Sequence, residues 1–184
     1  ALVWTSLADG HIEFLSQRWR DYTGLTLDEA SGWGWQQAVH PDDLPGLLDY
    51  WQSVLRSGCP GETEARLRRH DGEFRWFLFR AVPFHDEGGN LLKWYGTNTE
   101  IEDRKRAEAL LAGEKQILEL IAKGQSLATT LDAICRLVGE LSPGSLCSLL
   151  LLDWDEHRFS HGAAPDLPDS YNEAMHGRGF EDSS

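Results

Sequence analysis

Residues 2–7 and 12–16 are rich in apolar residues, and with the turn signal Asp9-Gly10 between them they predict an opening β-hairpin. Two short helices are expected next. The first covers residues 17–22 and is stopped by Gly24; the second restarts at Thr26, with Glu29 placed as its capping-box partner. From Leu44 the spacing changes. Leu44, Leu47, Leu48, Trp51, Val54 and Leu55 recur at three and four residues, so a helix with one apolar face should lie across a sheet and end near Gly58. Strands are predicted at residues 62–69, 74–83 and 91–99, separated by turn signals at Asp71-Gly72 and at residues 87–90. Pro83 lacks an N–H and is expected where its strand frays towards the turn. With the opening pair these strands make a five-stranded antiparallel sheet, an α+β fold with short helices on one face.

Strand alternation divides the central pair into two faces. Phe77, Phe79 and Ala81 share one with Trp94, Gly96 and Asn98; Trp76, Leu78 and Arg80 share the other with Tyr95 and Thr97. After residue 101 the chain reads as a long helix. Ala107, Leu111, Glu114, Leu118 and Ile121 keep a heptad spacing, and Leu110, Ile117 and Leu120 thicken that stripe. Glu114 on the seam weakens it, and Gly113 and Gly124 lower helix propensity. A parallel dimeric connector over residues 102–124 is the expectation, with a helix folded back on its own sheet as the alternative. A second amphipathic helix follows, with Leu127, Leu131, Ile134, Val138 and Leu141 on one face and Ser142-Pro143-Gly144 ending it. An apolar strand over residues 146–152, a turn, a returning strand over 158–162 and a helix opened by Leu167-Pro168-Asp169 complete the pattern. Residues 149–152 would form an apolar strand without partners, prone to self-association, and residues 177–184 carry no recognisable pattern.

Composition narrows the class. Of the 184 residues, 41% are hydrophobic and 26% charged, as in an ordinary globular protein. A formal net charge of −13 disfavours nucleic acid and anionic membranes as partners, and fits a cytoplasmic protein kept soluble by its acidity. Cys59, Cys135 and Cys147 are odd in number and lack metal-ligand spacing, so reduced thiols are expected. No apolar run suggests a membrane span, and no signal peptide is evident. The chain opens at Ala1, already in strand-like sequence, as a fragment of a longer protein would.

No catalytic or metal constellation stands out. There is no Gly-rich phosphate loop, zinc-type histidine pair or nucleophile elbow. His40-Pro41-Asp42-Asp43 reads as a helix start, with His40 near the N-cap, Pro41 at the first helical position and two carboxylates favouring the macrodipole. An enzyme built on His40, Asp42 and Asp43 is the rival reading of that motif.

Taken in order, His40-Pro41-Asp42-Asp43, the DGEFRW run at residues 71–76, Pro83 and the WYGTNTEIEDRK run at residues 94–105 resemble a PAS domain, over residues 1–101. The resemblance implies a cavity between the inner face of the sheet and the helices. Aligning Pro83 and Gly96 with flavin-binding LOV relatives puts Phe77, Phe79, Trp94 and Asn98 on the pocket side, with Asn98 where those proteins place a flavin-contacting amide. Trp35, Phe77, Phe79, Trp94 and Asn98 are therefore the candidate ligand residues. LOV photochemistry needs a cysteine that residues 34–39, Gly-Trp-Gln-Gln-Ala-Val, do not supply, which excludes flavin. Haem lacks axial ligands: no histidine lies between Leu44 and Pro60, and His40, His70 and His85 fall at a helix start and two turns. No cofactor is expected. The aromatics favour a filled core; a small apolar or aromatic ligand, held by Asn98 and the Trp35 indole, is the alternative.

Signalling PAS domains often end in Asp-Ile-Thr before the output helix. Glu100, Ile101 and Glu102 occupy that place here, so the acidic latch is kept and the threonine hydroxyl is not. The run from Leu141 to Tyr171 resembles the N-terminal third of a GAF domain, which makes residues 125–184 an incomplete GAF-like segment. The resemblances together imply a sensory input module of a bacterial signalling protein, a sensor histidine kinase or a cyclic-di-GMP protein. It would be non-enzymatic itself, homodimeric through the connector, and coupled to a C-terminal output domain. A non-sensing dimerisation module with a plugged core is the alternative.

Overall fold

The computed structural model describes residues 1–142, 144–175 and 177–179; Pro143, His176 and residues 180–184 of the readings above lie outside the described residues. The chain divides into two compact units, residues 1–105 and 106–184.

The first unit is built on an antiparallel sheet of five strands, β1 (Leu2–Leu7), β2 (Ile12–Leu15), β3 (Gly61–Arg68), β4 (Phe74–His85) and β5 (Leu91–Glu100). Their spatial order is β2-β1-β5-β4-β3, so the first hairpin joins the sheet beside the last strand. Between β2 and β3 the chain forms α1 (Gln17–Thr23), α2 (Leu27–Ala30), a short 3-10 helix (Gly34–Ala38) and α3 (Leu44–Ser57). Each helix end has a local cause. Ser16 accepts the Trp19 N–H at the start of α1, and Gly24 closes it in the left-handed region at φ 74°. Thr26 and Glu29 form the reciprocal capping box expected for α2. Gly58 ends α3 at φ 65°, a conformation that a side chain would strain. The apolar stripe of α3 buries Leu47, Trp51 and Val54 against the inner face of the sheet, where Trp94, Phe77, Ala65 and Leu67 are also buried.

Two local expectations are corrected. Helix α3 begins at Leu44 with Asp43 as N-cap, one turn later than the reading that put His40 at the cap and Pro41 at the first helical position. His40 still accepts the Asp42 N–H on its ring Nδ1 at 3.2 Å, but the Asp43 carboxylate turns away from the helix. It accepts the Arg66 backbone N–H and the Arg66 Nε and guanidinium N–H groups, each at 2.8 Å, while the His40 N–H donates to the Arg66 carbonyl at 2.9 Å. The motif therefore covers the otherwise open edge of β3, which protects it from stray pairing. Pro83, in turn, does not mark fraying: β4 runs on to His85, with Pro83 opposite Trp94. Strand β3 ends at Gly61 opposite Ala81, so beyond that point β4 has a partner on one side only and tolerates a missing N–H.

The second unit consists of the later part of α4 (Glu102–Ala122) with α5 (Leu127–Leu141), the hairpin β6 (Leu149–Asp153) and β7 (Arg158–Ala163), and α6 (Asp169–Met175). Gly113 of α4 lies against Leu137 of α5, close enough that a Cβ on the glycine would fall 2.2 Å from the leucine. The predicted α5 stripe is only partly covered. Cys135 is buried with its thiol 3.6 Å from the Ala163 carbonyl, whereas Leu127 and Val138 stay exposed, since two strands are too narrow to cover the whole face. Strand β6, expected without a partner, pairs along one edge with β7.

Candidate functional site

A cavity of about 60 Å³ opens between α3 and the inner face of the sheet. Its walls come from elements distant in sequence: Trp4 on β1, Trp35 on the 3-10 helix, Leu47 and Trp51 on α3, Phe79 on β4 and Asn98 on β5. One close approach makes this possible. Trp4 pairs across the sheet with Gly96, and its indole lies over that glycine so tightly that a Cβ there would fall 2.0 Å from the ring. So placed, the Trp4 Nε1–H donates to Asn98 Oδ1 at 2.9 Å and the ring meets Trp51 edge-on at 5.6 Å. Asn98 is only 2% exposed. The Trp35 indole N–H is buried without a hydrogen-bond partner. An unmet buried donor costs about 1–3 kcal/mol, so such a group at an apolar cavity marks it as a place for an acceptor.

The five candidate ligand residues are not brought together as one set. Trp35, Phe79 and Asn98 share the cavity wall. Trp94 is fully buried behind Trp51, with ring centroids 5.5 Å apart, and Phe77 packs edge-on against Tyr22 at 5.0 Å. Phe77 borders a separate hollow that also touches Asn98 and Glu100. Burial pushes the Tyr22 phenol there up to about 12, so it stays protonated and its unpaired O–H is a donor.

The three junction residues lie at the end of β5 and the start of α4. The Ile101 N–H donates to the Trp76 carbonyl at 2.8 Å, and the Trp76 N–H donates to a Glu102 carboxylate oxygen at 3.0 Å. Together they extend the β4–β5 ladder by one rung into the helix start. Glu100 pairs with Arg75 at 3.0 Å, and Arg75 also reaches Glu73 at 3.1 Å; these carboxylates, Glu100 foremost, hold the guanidinium firmly protonated. Glu64 on β3 takes Lys105 at 2.5 Å and also binds Arg104, and these cations hold its carboxyl below the usual range. Among the described residues no cluster of His, Cys, Asp or Glu is placed to hold a metal ion, and no helix is long and apolar enough to cross a membrane.

Residues 12–98 match the family described as the PAS fold. That segment is a PAS domain. The N-terminal domain of a diguanylate cyclase with PAS/PAC sensor from Marinobacter aquaeolei shares the fold, with a TM-score of 0.51 at 16% identity over 56% of this chain and 97% of that one. Among curated proteins, the methyl sulfide methyltransferase-associated sensor of Methanosarcina acetivorans is 29% identical over 177 residues, which is 95% of this chain and 18% of the relative. The peroxide stress-activated histidine kinase mak1 of Schizosaccharomyces pombe is 37% identical over 108 residues, 59% of this chain and 6% of the relative. The chain thus spans less than a fifth of the length of either curated relative.

The sequence reading overlooked Trp4, Trp51 and Leu47 as cavity walls and Arg66 as the partner of Asp43. Trp4 was accessible, since it alternates in phase with Leu2 and Ser6, all three buried. Arg66 was not, because nothing in the local pattern links it to a carboxylate 23 positions earlier.

Proposed function

We propose that residues 1–101 are the sensory input module of a larger signalling protein, and that a small, largely apolar ligand with one hydrogen-bond acceptor occupies the cavity beside Trp35, Phe79 and Asn98. The observation that carries this reading is the unmet donor, the Trp35 Nε1–H, at an otherwise apolar cavity. At about 60 Å³ the space suits a ligand of a few heavy atoms, given roughly 10–15 Å³ for one water. Phe77 and Trp94 then act as the packing behind the site, and no resident cofactor is invoked. Two relatives whose names describe a sensor and a stress-activated histidine kinase support a signalling role, with the output enzyme outside this chain. Glu100, Ile101 and Glu102 would pass a change at the sheet into the helix over residues 102–124.

The same reading makes that helix a dimeric connector. Leu111, Leu118 and Ile121 on the heptad seam are 65%, 65% and 57% exposed, which supports a second copy as their cover. Residues 125–184 would then begin a GAF-like domain; their helix–strand–strand–helix order, and the similarity to the Methanosarcina sensor that runs through them, support it. A cytoplasmic setting fits the free thiols of Cys59, Cys135 and Cys147.

Native mass spectrometry tests the ligand directly. Added mass in the native spectrum that disappears on denaturation, and that Trp35→Phe weakens, is the expected result. A bare native protein that no screened metabolite stabilises against heat would overturn the ligand reading.

A further inference from the structure

The cavity wall and the start of α4 are joined by a continuous line of polar and aromatic contacts along the edge and outer face of the sheet. It begins at Asp43, the residue from which α3 springs: the Leu47 N–H donates to its carbonyl at 3.0 Å, and Leu47 lines the cavity. The Asp43 carboxylate holds Arg66 on β3 through two side-chain hydrogen bonds and one backbone hydrogen bond, each 2.8 Å. Arg66 stands directly opposite Trp76 on β4, with its guanidinium carbon 5.3 Å from the indole centroid. Lys105, in the first turn of α4, lies 4.8 Å from the same centroid, and its ammonium is held by Glu64, two residues before Arg66 on β3. Both cations are within the distance at which an indole face attracts positive charge.

The groups are shielded enough for these contacts to matter. The side chains of Asp43, Arg66, Lys105 and Glu64 are 16%, 28%, 29% and 31% exposed, whereas neighbouring Asp42 is 77% exposed and reaches Arg66 only at 3.7 Å. Geometry also makes the chain sensitive to displacement. A bidentate carboxylate–guanidinium pair tolerates little sliding, so a shift of the α3 start carries the Arg66 head with it and changes what the Trp76 face offers to Lys105.

We propose that Asp43, Arg66, Trp76 and Lys105 form a single linkage that couples the position of the cavity-lining helix α3 to the seating of the first turn of α4. They are positioning residues: none needs to touch a ligand. The proposal gives the sensory reading a specific route, and rests on it for biological purpose, yet the coupling is a property of the unliganded protein and stands or falls separately from ligand binding. The route is distinct from the Glu100–Glu102 latch, because it leaves from the α3 side of the sheet.

Amide hydrogen exchange on the full chain tests it, with the Lys105 amide reporting on α4, the Leu47 amide on α3, and the Trp94 amide in β5 as the reference for global opening. Asp43→Asn should raise Lys105 exchange relative to Trp94 by about twofold to thirtyfold, the range of measured coupling between linked sites. By reciprocity Lys105→Gln should raise Leu47 exchange, and the double variant should fall short of the product of the two single effects. Asp42→Asn, one residue away but exposed, should leave Lys105 at its original rate. The proposal is overturned if Asp43→Asn changes only residues 39–47 and β3, if the rise is uniform through Trp94, or if the two effects multiply independently. These arms need no ligand, so a failure here is separable from a cavity that proves empty.

Discussion

Asp43 shows how a single side chain can be misread locally and still matter. Next to a helix start, an aspartate looks like a cap, but here its carboxylate is committed to Arg66, whose hydrogen bonds hold the carboxyl below its ordinary value of 3.8. A depressed acid contributes stability in full above its unfolded value and loses it as pH falls through the folded one. Asp43→Asn should therefore cost about 1–3 kcal/mol at pH 7, and the gap from the original protein should close below about pH 4. Urea unfolding across that range checks it; a gap independent of pH would assign the effect to shape alone. Gly96 is the opposite case, a residue defined by what lies over it. With a Cβ 2.0 Å from the Trp4 ring, Gly96→Ala must displace an indole that is tied to Asn98 and packed on Trp51. A loss of roughly 1–3 kcal/mol, or more, is expected, together with a change in Trp fluorescence.

At the scale of elements, the periodic segments were legible. The α3 stripe, the capping box of α2 and the turns at Gly10, Gly72 and Gly89 all follow from spacing and from residues that accept positive φ. What spacing could not show was how elements meet end to end. Glu102 seemed unable to replace a threonine hydroxyl, because the sequence does not reveal that the Trp76 N–H lies 3.0 Å from its carboxylate. Glu102→Ala removes that acceptor. It should lower stability by about 1–2 kcal/mol and speed proteolysis near residues 103–106, whereas Glu102→Gln, which keeps an acceptor, should retain most of the protection. Equal cleavage of the two variants would show that the carboxamide cannot replace the carboxylate. Helix α4 also sorts one broad stripe into two. Ile117 and Leu120 are half-buried, and the seam through Leu111, Leu118 and Ile121 is left exposed.

For the whole molecule, that exposed seam is the feature that a single chain leaves unexplained. Leu118→Glu should convert a dimer to a monomer in light scattering coupled to size exclusion, leaving the PAS domain folded; an already monomeric parent would remove the connector reading. The sequence by itself determined the order of strands and helices, the antiparallel sheet, its inner face and, for residues 12–98, the PAS fold. Those depend on alternation, helical spacing and turn chemistry, each written within a few residues. Strand alternation also put Phe79 and Asn98 on one face, and both line the cavity. Only the tertiary structure decided that Trp94 and Phe77 back the cavity instead of lining it, that Trp4 closes over Gly96, and that Asp43 grips Arg66. Cavities, cross-sheet packing and ion pairs arise between residues that are far apart in the chain, where side-chain volume and distance decide the outcome and local pattern carries no record of either.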